Sequence, residues 1–314
     1  MMKVATTTAK KMTAATEKKT AATNRLQLPE KSAIALVYRI ETAKAVSLAK
    51  KVAEFLKAKG HEVFTGPDQK LVPGTKAAKT KKQLDSLKLV IVLGGDGTYL
   101  RAVRILEGRS VPIIGFNMGS LGFLTAHSAD STFDIIEEAL AGKMELRPRS
   151  MIFAKVLRKG KTRGEYHALN DIVIERGSMS QLINTSIYSD KFLVSEVKAD
   201  GFIVSSPSGS TAYNLAAGGP ILHPESPVFV VTPVAPHSLT SRPLIVPDNS
   251  TLSFKLDGRT MKAHFIVDGM KVTELSADDE VVLTRSCYDH WMVRQADHNY
   301  FTLLREKLKF GDRS

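Results

Sequence analysis

The chain of 314 residues is poor in cysteine and in long apolar runs. Its single cysteine, Cys287, excludes an internal disulfide framework and favours a reducing compartment. No apolar stretch approaches the roughly 20 residues that a membrane-spanning helix needs. No apolar segment typical of a signal peptide is found near the start of the sequence. We therefore expect a cytoplasmic protein that does not associate with membranes.

Short motifs of several common enzyme classes are also missing. The sequence has no G-x-x-x-x-G-K-[ST] loop, no G-x-G-x-x-G fingerprint and no G-x-S-x-G turn. These absences argue against a P-loop ATPase, a Rossmann dehydrogenase and an α/β-hydrolase, respectively. The eight histidines show no spacing typical of metal ligands, so we expect no dedicated metal site.

The formal net charge of +12 is unevenly distributed. Residues 1–31 contain seven basic and two acidic residues and are otherwise rich in Thr and Ala. So few apolar residues cannot form a core, and we predict a disordered basic tail, since transit peptides favour Arg over Lys. The remaining positive charge suits anionic ligands. Nucleic acid is not an expected partner, because no motif or basic–aromatic alternation supports it.

Strands and helices alternate over residues 32–146. Short apolar runs predict strands at 32–38, 62–64, 87–93 and 111–115. Helical periodicity predicts helices at 41–59, 99–107 and 132–140, with a polar loop at 66–82. This alternation indicates an α/β domain with a doubly wound parallel sheet.

Short β-branched runs dominate residues 147–290. Turn dipeptides such as Asp257-Gly258 and Asp268-Gly269 separate some of these runs, and we interpret the second dipeptide as a hairpin turn. The pattern predicts a β-rich, sandwich-like second domain. Residues 291–314 contain an amphipathic helix at 299–308, which we expect to pack back on the first domain.

The most informative segment directly follows the predicted strand at 87–93. It reads Gly94, Gly95, Asp96, Gly97, Thr98. Glycines before a helix leave backbone N–H groups accessible to a polyphosphate. The single carboxylate could accept a proton from a hydroxyl that attacks this phosphate. The alternative interpretation of these residues is a tight glycine turn after a buried strand.

Two further segments are candidates for the walls of a nucleotide site. Residues 115–124 form a second glycine-containing loop after the next predicted strand, and loops at the carboxyl ends of neighbouring strands line one crevice. Residues 200–220 combine small hydroxyls, glycines and a tyrosine, and Asp200 could accept hydrogen bonds from a sugar or an amide. Taken singly, each segment is also compatible with a structural loop.

Four blocks of the sequence together resemble the ATP-NAD kinase family. They are residues 94–98, 117–124, 169–171 and 200–220. The order and the approximate spacing of the blocks are similar to those of the family, and the resemblance spans about residues 32–310. The glycine loop alone also occurs in diacylglycerol, sphingosine and phosphofructokinase-type enzymes, whereas the block at 200–220 is more diagnostic.

The resemblance implies transfer of the γ-phosphate of ATP, or of polyphosphate, to the 2′-hydroxyl of the adenosine ribose of NAD. Asp96 is then the general base, and the implied phosphate-binding residues are Gly94, Gly95, Gly97 and Thr98. The implied NAD-binding residues, with Ser208 added from the polar segment, are Asp96, Gly97, Arg101, Phe123, Leu124, Asn170, Asp171, Gln181, Lys198, Asp200, Ser208, Thr211, Ala212, Tyr213, Asn214, Leu215 and Ala216. Mg²⁺ is implied as a companion of ATP, and a homodimer or homotetramer is expected.

Three positions depart from the family pattern. Asp171 stands where the family has Glu, Gln181 replaces an often basic residue, and Met270 follows Asp268-Gly269 where Gln is common. Two alternative functions stay open. A lipid kinase with the same glycine loop would phosphorylate diacylglycerol or a sphingoid base. A non-catalytic sensor would bind NAD or NADP without transferring phosphate.

Overall fold

The computed structural model describes residues 25–177, 181–257, 262–309 and 311. The described residues form two compact units. One comprises the chain up to Ile105, Val111–Arg147 and the segment from Trp291 onward, and the other comprises Leu106–Ser110 and Pro148–His290. Residues 1–24 of the predicted tail and Gly258 of the predicted Asp257-Gly258 turn lie outside the described residues.

A largely parallel sheet forms the centre of the first unit. Its strands are β1 (Ala33–Tyr38), β2 (Glu62–Thr65), β3 (Lys76–Ala77), β4 (Leu87–Leu93), β5 (Ile113–Asn117), β6 (His127–Ser128), β7 (Glu145–Arg149) and β20 (His290–Arg294). Their order is β3-β2-β1-β4-β5-β20-β7, with β6 beside β5. The strand order reverses between β1 and β4, which is the switch point where open α/β sheets bind ligands. The glycine loop follows β4 at this point.

The helices described by the structure are α1 (Ala43–Ala58), α2 (Lys81–Ser86), α3 (Asp96–Leu106), α4 (Thr132–Leu140), α5 (Tyr213–Ala216) and α6 (Tyr300–Leu308). α1 buries Ala45, Ala49, Val52, Ala53 and Leu56, a stripe at helical spacing. The prediction missed α2, which begins with a capping box of Thr80 and Gln83. Every helix that the structure describes is too short or too polar to cross a bilayer.

The predicted start of folded structure at Ser32 is wrong. Leu26 is only 2% exposed and belongs to the core of the first unit. Its N–H donates to the carbonyl of Met144 at 2.9 Å, and Arg25 forms an antiparallel bridge with Glu145. Leu26 and the partly buried Leu28 attach this segment to the core. Composition alone does not reveal this, because the backbone partner of Leu26, Met144, lies more than a hundred residues away.

The second unit consists of two antiparallel sheets. Its strands are β8 (Ile152–Arg158), β9 (Lys161–Ala168), β10 (Asp171–Arg176), β11 (Ile183–Ser189), β12 (Phe192–Ala199), β13 (Gly201–Ser205), β14 (Val228–Val234), β15 (Leu244–Pro247), β16 (Leu252–Leu256), β17 (Ala263–Val267), β18 (Met270–Leu275) and β19 (Asp279–Arg285). The sheet orders are β15-β14-β13-β10-β17-β18 and β12-β11-β16-β19-β8-β9. The predicted combination of an α/β fold with a β-rich fold is confirmed.

Side chains from both sheets share the core of the second unit, among them Ile172, Phe202, Phe254 and Phe265. Strands β10 and β13 are adjacent in one sheet, with Asp171 paired to Ser205. The first residue of β10 therefore lies beside the segment that follows β13. This register brings the predicted residues 170–171 and 206–210 together.

Leu26 provides a test of the corrected boundary. We expect Leu26→Ala to lower the free energy of unfolding by about 2–4 kcal/mol, because it leaves a cavity in a core position. Ile40, which is 43% exposed in the same unit, is the control, and Ile40→Ala should cost about 0.5 kcal/mol. Urea unfolding measures both values. Equal stabilities of the two variants would show that residues 25–31 do not contribute to the core.

Candidate active site

The glycine loop connects β4 to the N-terminus of α3. The N–H of Gly94 donates to the carbonyl of Phe116 on β5 at 2.9 Å. A Cβ at Gly94 would collide with the side chain of Thr98, whereas a Cβ at Gly95 or Gly97 would meet nothing within 4 Å. The fold therefore requires the glycine at 94 but leaves open space at 95 and 97. Because the N-terminal end of a helix favours negative charge, this space is suitable for an anion.

The carboxylate of Asp96 holds the second predicted loop. Its Oδ2 accepts the N–H of Phe123 at 2.9 Å. Its Oδ1 accepts the N–H groups of Leu124 and Thr125 at 3.1 and 3.0 Å and the Thr125 hydroxyl at 3.0 Å. A Cβ at Gly122 would collide with Asp96 Oδ1, so the close approach depends on a glycine there. The side chain of Asp96 therefore contacts the predicted residues Phe123 and Leu124 through their backbone N–H groups and not through their side chains.

Arg294, at the end of β20, supports the same loop and was missed from the sequence. Its side chain is 1% exposed, and its Nη2 donates to the carbonyls of Phe123 and Leu124 at 3.2 and 2.8 Å. Burial lowers the pKa of Arg294, while the charge of Asp96 acts in the opposite direction. The loop thus lies between a buried cation at its carbonyls and a carboxylate at its N–H groups. No local pattern in the sequence indicates such a role.

Arg101, a predicted NAD contact, forms an ion pair in the first unit. Its Nε and Nη2 lie 2.9 and 2.8 Å from Asp68 Oδ2, and Nη2 also donates to the Asp68 carbonyl. The loop that carries Asp68 is bound in turn to the end of β1, where the Tyr38 hydroxyl donates to the Lys70 carbonyl. Arg101 therefore fastens this loop to α3. Its contact with NAD stays a prediction.

In the second unit, Asn170 lies at the start of β10 against the turn that follows β13. Its carbonyl accepts the N–H of Ser206 at 2.9 Å, and a Cβ at Gly209 would collide with its backbone. Among the described residues, Asn170 Oδ1 and Ser208 Oγ are buried without a hydrogen-bond partner. Buried polar atoms are rarely left unpaired in proteins. These two atoms are therefore candidate ligand contacts.

Asp171 is 4% exposed at the first position of β10. Burial, and secondarily the nearby charge of Asp268, raise the pKa of Asp171 to about 7. Burial and the carboxylates of Glu175, Asp171 and Asp200 also raise the pKa of Tyr213. A carboxyl group that titrates near neutral pH is typical of functional sites.

The predicted residues from Ser208 to Ala216 differ in whether their side chains are accessible to a ligand. Ser208–Thr211 is a 3₁₀ turn, followed by α5. The Asn214 amide is fully used within the protein, since Nδ2 donates to the carbonyls of Ser210 and Pro220 and Oδ1 accepts the Thr232 hydroxyl at 2.6 Å. Tyr213 is 42% exposed, and Thr211, Ala212 and Leu215 are half-buried. Asn214 thus supports the segment, while its neighbours present the accessible surface.

The other predicted contacts of this unit are more dispersed. Asp200 forms an ion pair with Arg176 at 3.0 Å. Gln181 and Lys198 are exposed residues at β11 and β12, which belong to the sheet that does not contain β10. Among the described residues, no hydrogen bond or ion pair joins either of them to Asn170 or Asp171. No group of three His, Cys, Asp or Glu residues in the described part of the chain is arranged to hold a metal ion.

Comparisons with known proteins match both units. A family model described as the ATP-NAD kinase N-terminal domain matches residues 34–144, and one described as the ATP-NAD kinase C-terminal domain matches residues 169–295. An NAD kinase of Bdellovibrio bacteriovorus is 80% identical over 291 residues, which cover 93% of this chain and 96% of the relative. An NAD kinase of a Geobacter species is 36% identical over 285 residues, covering 89% and 99%.

Two solved structures share the fold. A yeast NADH kinase complexed with NADH superposes with a TM-score of 0.83 at 24% identity and covers 90% of this chain and 89% of that chain. An NAD kinase of Archaeoglobus fulgidus in complex with ATP superposes with a TM-score of 0.67 at 24% identity, covering 87% and 99%. At this identity the two structures establish similarity of fold.

The raised pKa of Asp171 predicts a dependence of stability on pH. Asp171 keeps its proton up to a pKa of about 7 in the folded protein, whereas in the unfolded chain it releases the proton at the ordinary aspartate pKa of 3.8. The native state therefore loses up to ~4 kcal/mol as the pH rises from about 4 to about 7, at roughly 1.4 kcal/mol per unit of pKa difference.

Asp171→Asn should remove this loss. We expect the variant to match the wild type at or below about pH 4 and to exceed its free energy of unfolding by ~1–4 kcal/mol at pH 8. Asp190→Asn, at an exposed turn of the same unit, is the control and should follow the wild-type profile. Urea unfolding at each pH provides the values. A stability difference between Asp171→Asn and the wild type that is independent of pH would contradict this assignment.

Proposed function

The chain belongs to the ATP-NAD kinase family, and we propose that Asp96 is the general base of its phosphoryl transfer. The two family models together cover most of the chain, and a named NAD kinase is 80% identical to it over 93% of its length. The protein is therefore an NAD kinase with NAD and ATP as substrates. These matches do not support the alternatives of a lipid kinase or a non-catalytic sensor.

One observation carries the assignment of Asp96. Its carboxylate is held beside a glycine loop in which positions 95 and 97 face open space. Because Oδ1 accepts three hydrogen bonds and Oδ2 accepts one within the described protein, Oδ2 keeps a lone pair for a proton. The 2′-hydroxyl oxygen of the NAD adenosine ribose attacks the γ-phosphorus of ATP, its proton passes to Asp96 Oδ2, and the bond to the departing ADP oxygen breaks.

We assign the phosphates of ATP to the loop of Gly94, Gly95, Gly97 and Thr98. N–H groups at the N-terminus of α3 favour the negative charge there. The described residues do not form a cluster suited to a dedicated metal site. We assign Mg²⁺ to the phosphates of ATP, whose charge it would neutralise.

We assign the recognition of NAD in the second unit to Asn170, Asp171 and the segment from Ser208 to Ala216. The unpartnered Asn170 Oδ1 and Ser208 Oγ support this assignment, because a bound hydroxyl or amide would satisfy them. For Asn214, only the backbone is available to a ligand. Asp200, Gln181 and Lys198 remain predicted contacts from the family pattern.

We also propose that the protein is a cytoplasmic homodimer or homotetramer. The edge strand β12 exposes Phe192, Leu193 and Val194, and the edge strand β15 exposes Leu244 and Ile245. Exposed apolar edge strands are usually covered, and self-association would cover them. The free, exposed thiol of Cys287 fits a reducing compartment.

Asp96→Asn tests the general base. We expect kcat to fall by roughly 10²–10⁴-fold, because the amide cannot accept the proton, while the KM for NAD changes little. Stability should fall by only about 1–2 kcal/mol, because the amide oxygen can keep the bonds to Leu124 and Thr125. Kinetics of NADP formation and urea unfolding measure these effects.

The control for this variant is Asp130→Asn, at an exposed acid of the same unit. It should leave both kcat and stability close to those of the wild type. A turnover of Asp96→Asn within tenfold of the wild-type value would exclude Asp96 as the base.

Gly97→Ala tests the phosphate loop. The position lies in the first turn of α3, and a Cβ there meets nothing within 4 Å, so stability should stay the same or rise by up to about 1 kcal/mol. The methyl group would occupy the space assigned to phosphate, and we expect the KM for ATP to rise at least tenfold. An unchanged KM for ATP in a folded variant would place the phosphates elsewhere.

A further inference from the structure

The turn between β17 and β18 carries an acid that the turn itself does not need. Asp268 and Gly269 form a two-residue hairpin turn with φ angles of 46° and 77°, which confirms the interpretation from the sequence. A turn of this kind requires residues that tolerate positive φ, and Asn-Gly or Gly-Gly serve as well as Asp-Gly. The turn geometry therefore does not explain why the residue at position 268 has a carboxylate.

Asp268 accepts N–H groups from three consecutive residues. Its Oδ2 accepts the N–H of Leu169 at 2.9 Å, and its Oδ1 accepts those of Asn170 and Asp171 at 2.7 and 3.1 Å. In return, the N–H of Asp268 donates to the carbonyl of Asp171 at 3.0 Å. Hydrogen bonds to an ionised acceptor are stronger than those between neutral groups. The turn is thus bonded to the start of β10 in both directions.

We propose that Asp268 is a positioning residue for NAD, because its carboxylate fixes the backbone of Asn170 and Asp171 in the conformation that binds the ligand. The proposal rests on the NAD-binding role proposed above for these two residues. Asp268 acts through them and needs no contact with NAD itself.

The contacts of Asn170 support this role. Asp268 holds its N–H, while the turn after β13 holds its carbonyl through Ser206 and packs Gly209 against its backbone. Held from both sides, the residue keeps Oδ1 buried and unpartnered among the described residues. A group that is fixed before the ligand arrives loses less entropy on binding.

The charge of Asp268 also acts on Asp171. Among the described residues, Asp268 from the β17–β18 turn and Tyr213 from α5 are titratable groups that interact electrostatically with Asp171. After burial, the charge of Asp268 is the second cause that raises the pKa of Asp171 to about 7. Removing this negative charge makes ionisation of Asp171 easier, so its pKa should fall. A merely structural residue would not move the titration of Asp171.

The experiment measures NAD affinity of the full-length protein by calorimetry between pH 5.5 and 8.5. Asp268→Asn keeps the turn and two potential acceptor bonds but loses the charge, whereas Asp268→Gly keeps the turn and its backbone bond to Asp171 but loses all three side-chain bonds. We expect NAD binding to weaken about 10–100-fold in Asp268→Asn and further in Asp268→Gly. We also expect the inflection of affinity with pH, near 7 in the wild type, to move to lower pH in Asp268→Asn.

Asp190→Asn is the matched control. Asp190 also lies at a hairpin turn of the second unit with a positive φ of 54°, and its Oδ1 accepts a single N–H, that of Thr251. Its substitution should change neither the affinity for NAD nor the inflection. The melting temperature of each variant shows whether it folds. If Asp268→Gly does not fold, the affinity and the pH dependence of Asp268→Asn are sufficient for the test.

The outcomes separate this proposal from the one on which it rests. Unchanged NAD affinity in Asn170→Ala and Asp171→Ala would overturn the binding site itself. If these two variants bind weakly but Asp268→Asn has wild-type affinity and a wild-type inflection, Asp268 does not position them. A wild-type affinity that is flat between pH 6 and 8 would also overturn the electrostatic part of the proposal.

Discussion

In each unit, the candidate functional residues depend on a carboxylate that accepts N–H groups from three consecutive loop residues. Asp96 does so for Phe123, Leu124 and Thr125 in the first unit, and Asp268 does so for Leu169, Asn170 and Asp171 in the second. Three N–H groups in a row cannot be satisfied within a regular helix or strand at such a bend. An ionised carboxylate satisfies them together and fixes the loop conformation.

The two carboxylates differ in the role that we propose for each of them. Asp96 is half-buried and keeps one oxygen with a single protein hydrogen bond, so it can both hold the loop and accept a proton. Asp268 instead adds to the effect of burial in raising the pKa of a neighbouring acid, Asp171, for which we propose the contact with the ligand. In our proposal, the same hydrogen-bond arrangement holds a base in one unit and a positioning residue in the other. Arg294 completes the first arrangement from the carbonyl side of its loop.

Much of the fold could be predicted because its signals are local. The strand at 87–93 and the helix at 132–140 have the predicted bounds, since an apolar run and a 3.6-residue stripe lie wholly within each element. Two features that the sequence prediction missed have different causes, one local and one distant. α2 is signalled by a short capping box inside a polar loop, and the burial of Leu26 depends on Met144 far along the chain. α3 begins at Asp96 rather than at Tyr99, so the predicted base belongs to the first turn of the helix.

The sequence by itself determined the classes of the two units, the glycine loop with its single acid, and the family to which the chain belongs. Residue type and short-range spacing carry that information. Only the tertiary structure decided which acid holds which loop, that the Asn214 amide is used internally, and that Arg294 lies beneath the loop of Phe123. Asp96 and Phe123 are 27 residues apart, Asp268 and Asn170 are 98 apart, and Arg294 and Leu124 are 170 apart. Hydrogen bonds over such separations leave no periodicity in a single sequence, because they exist only after the chain has folded.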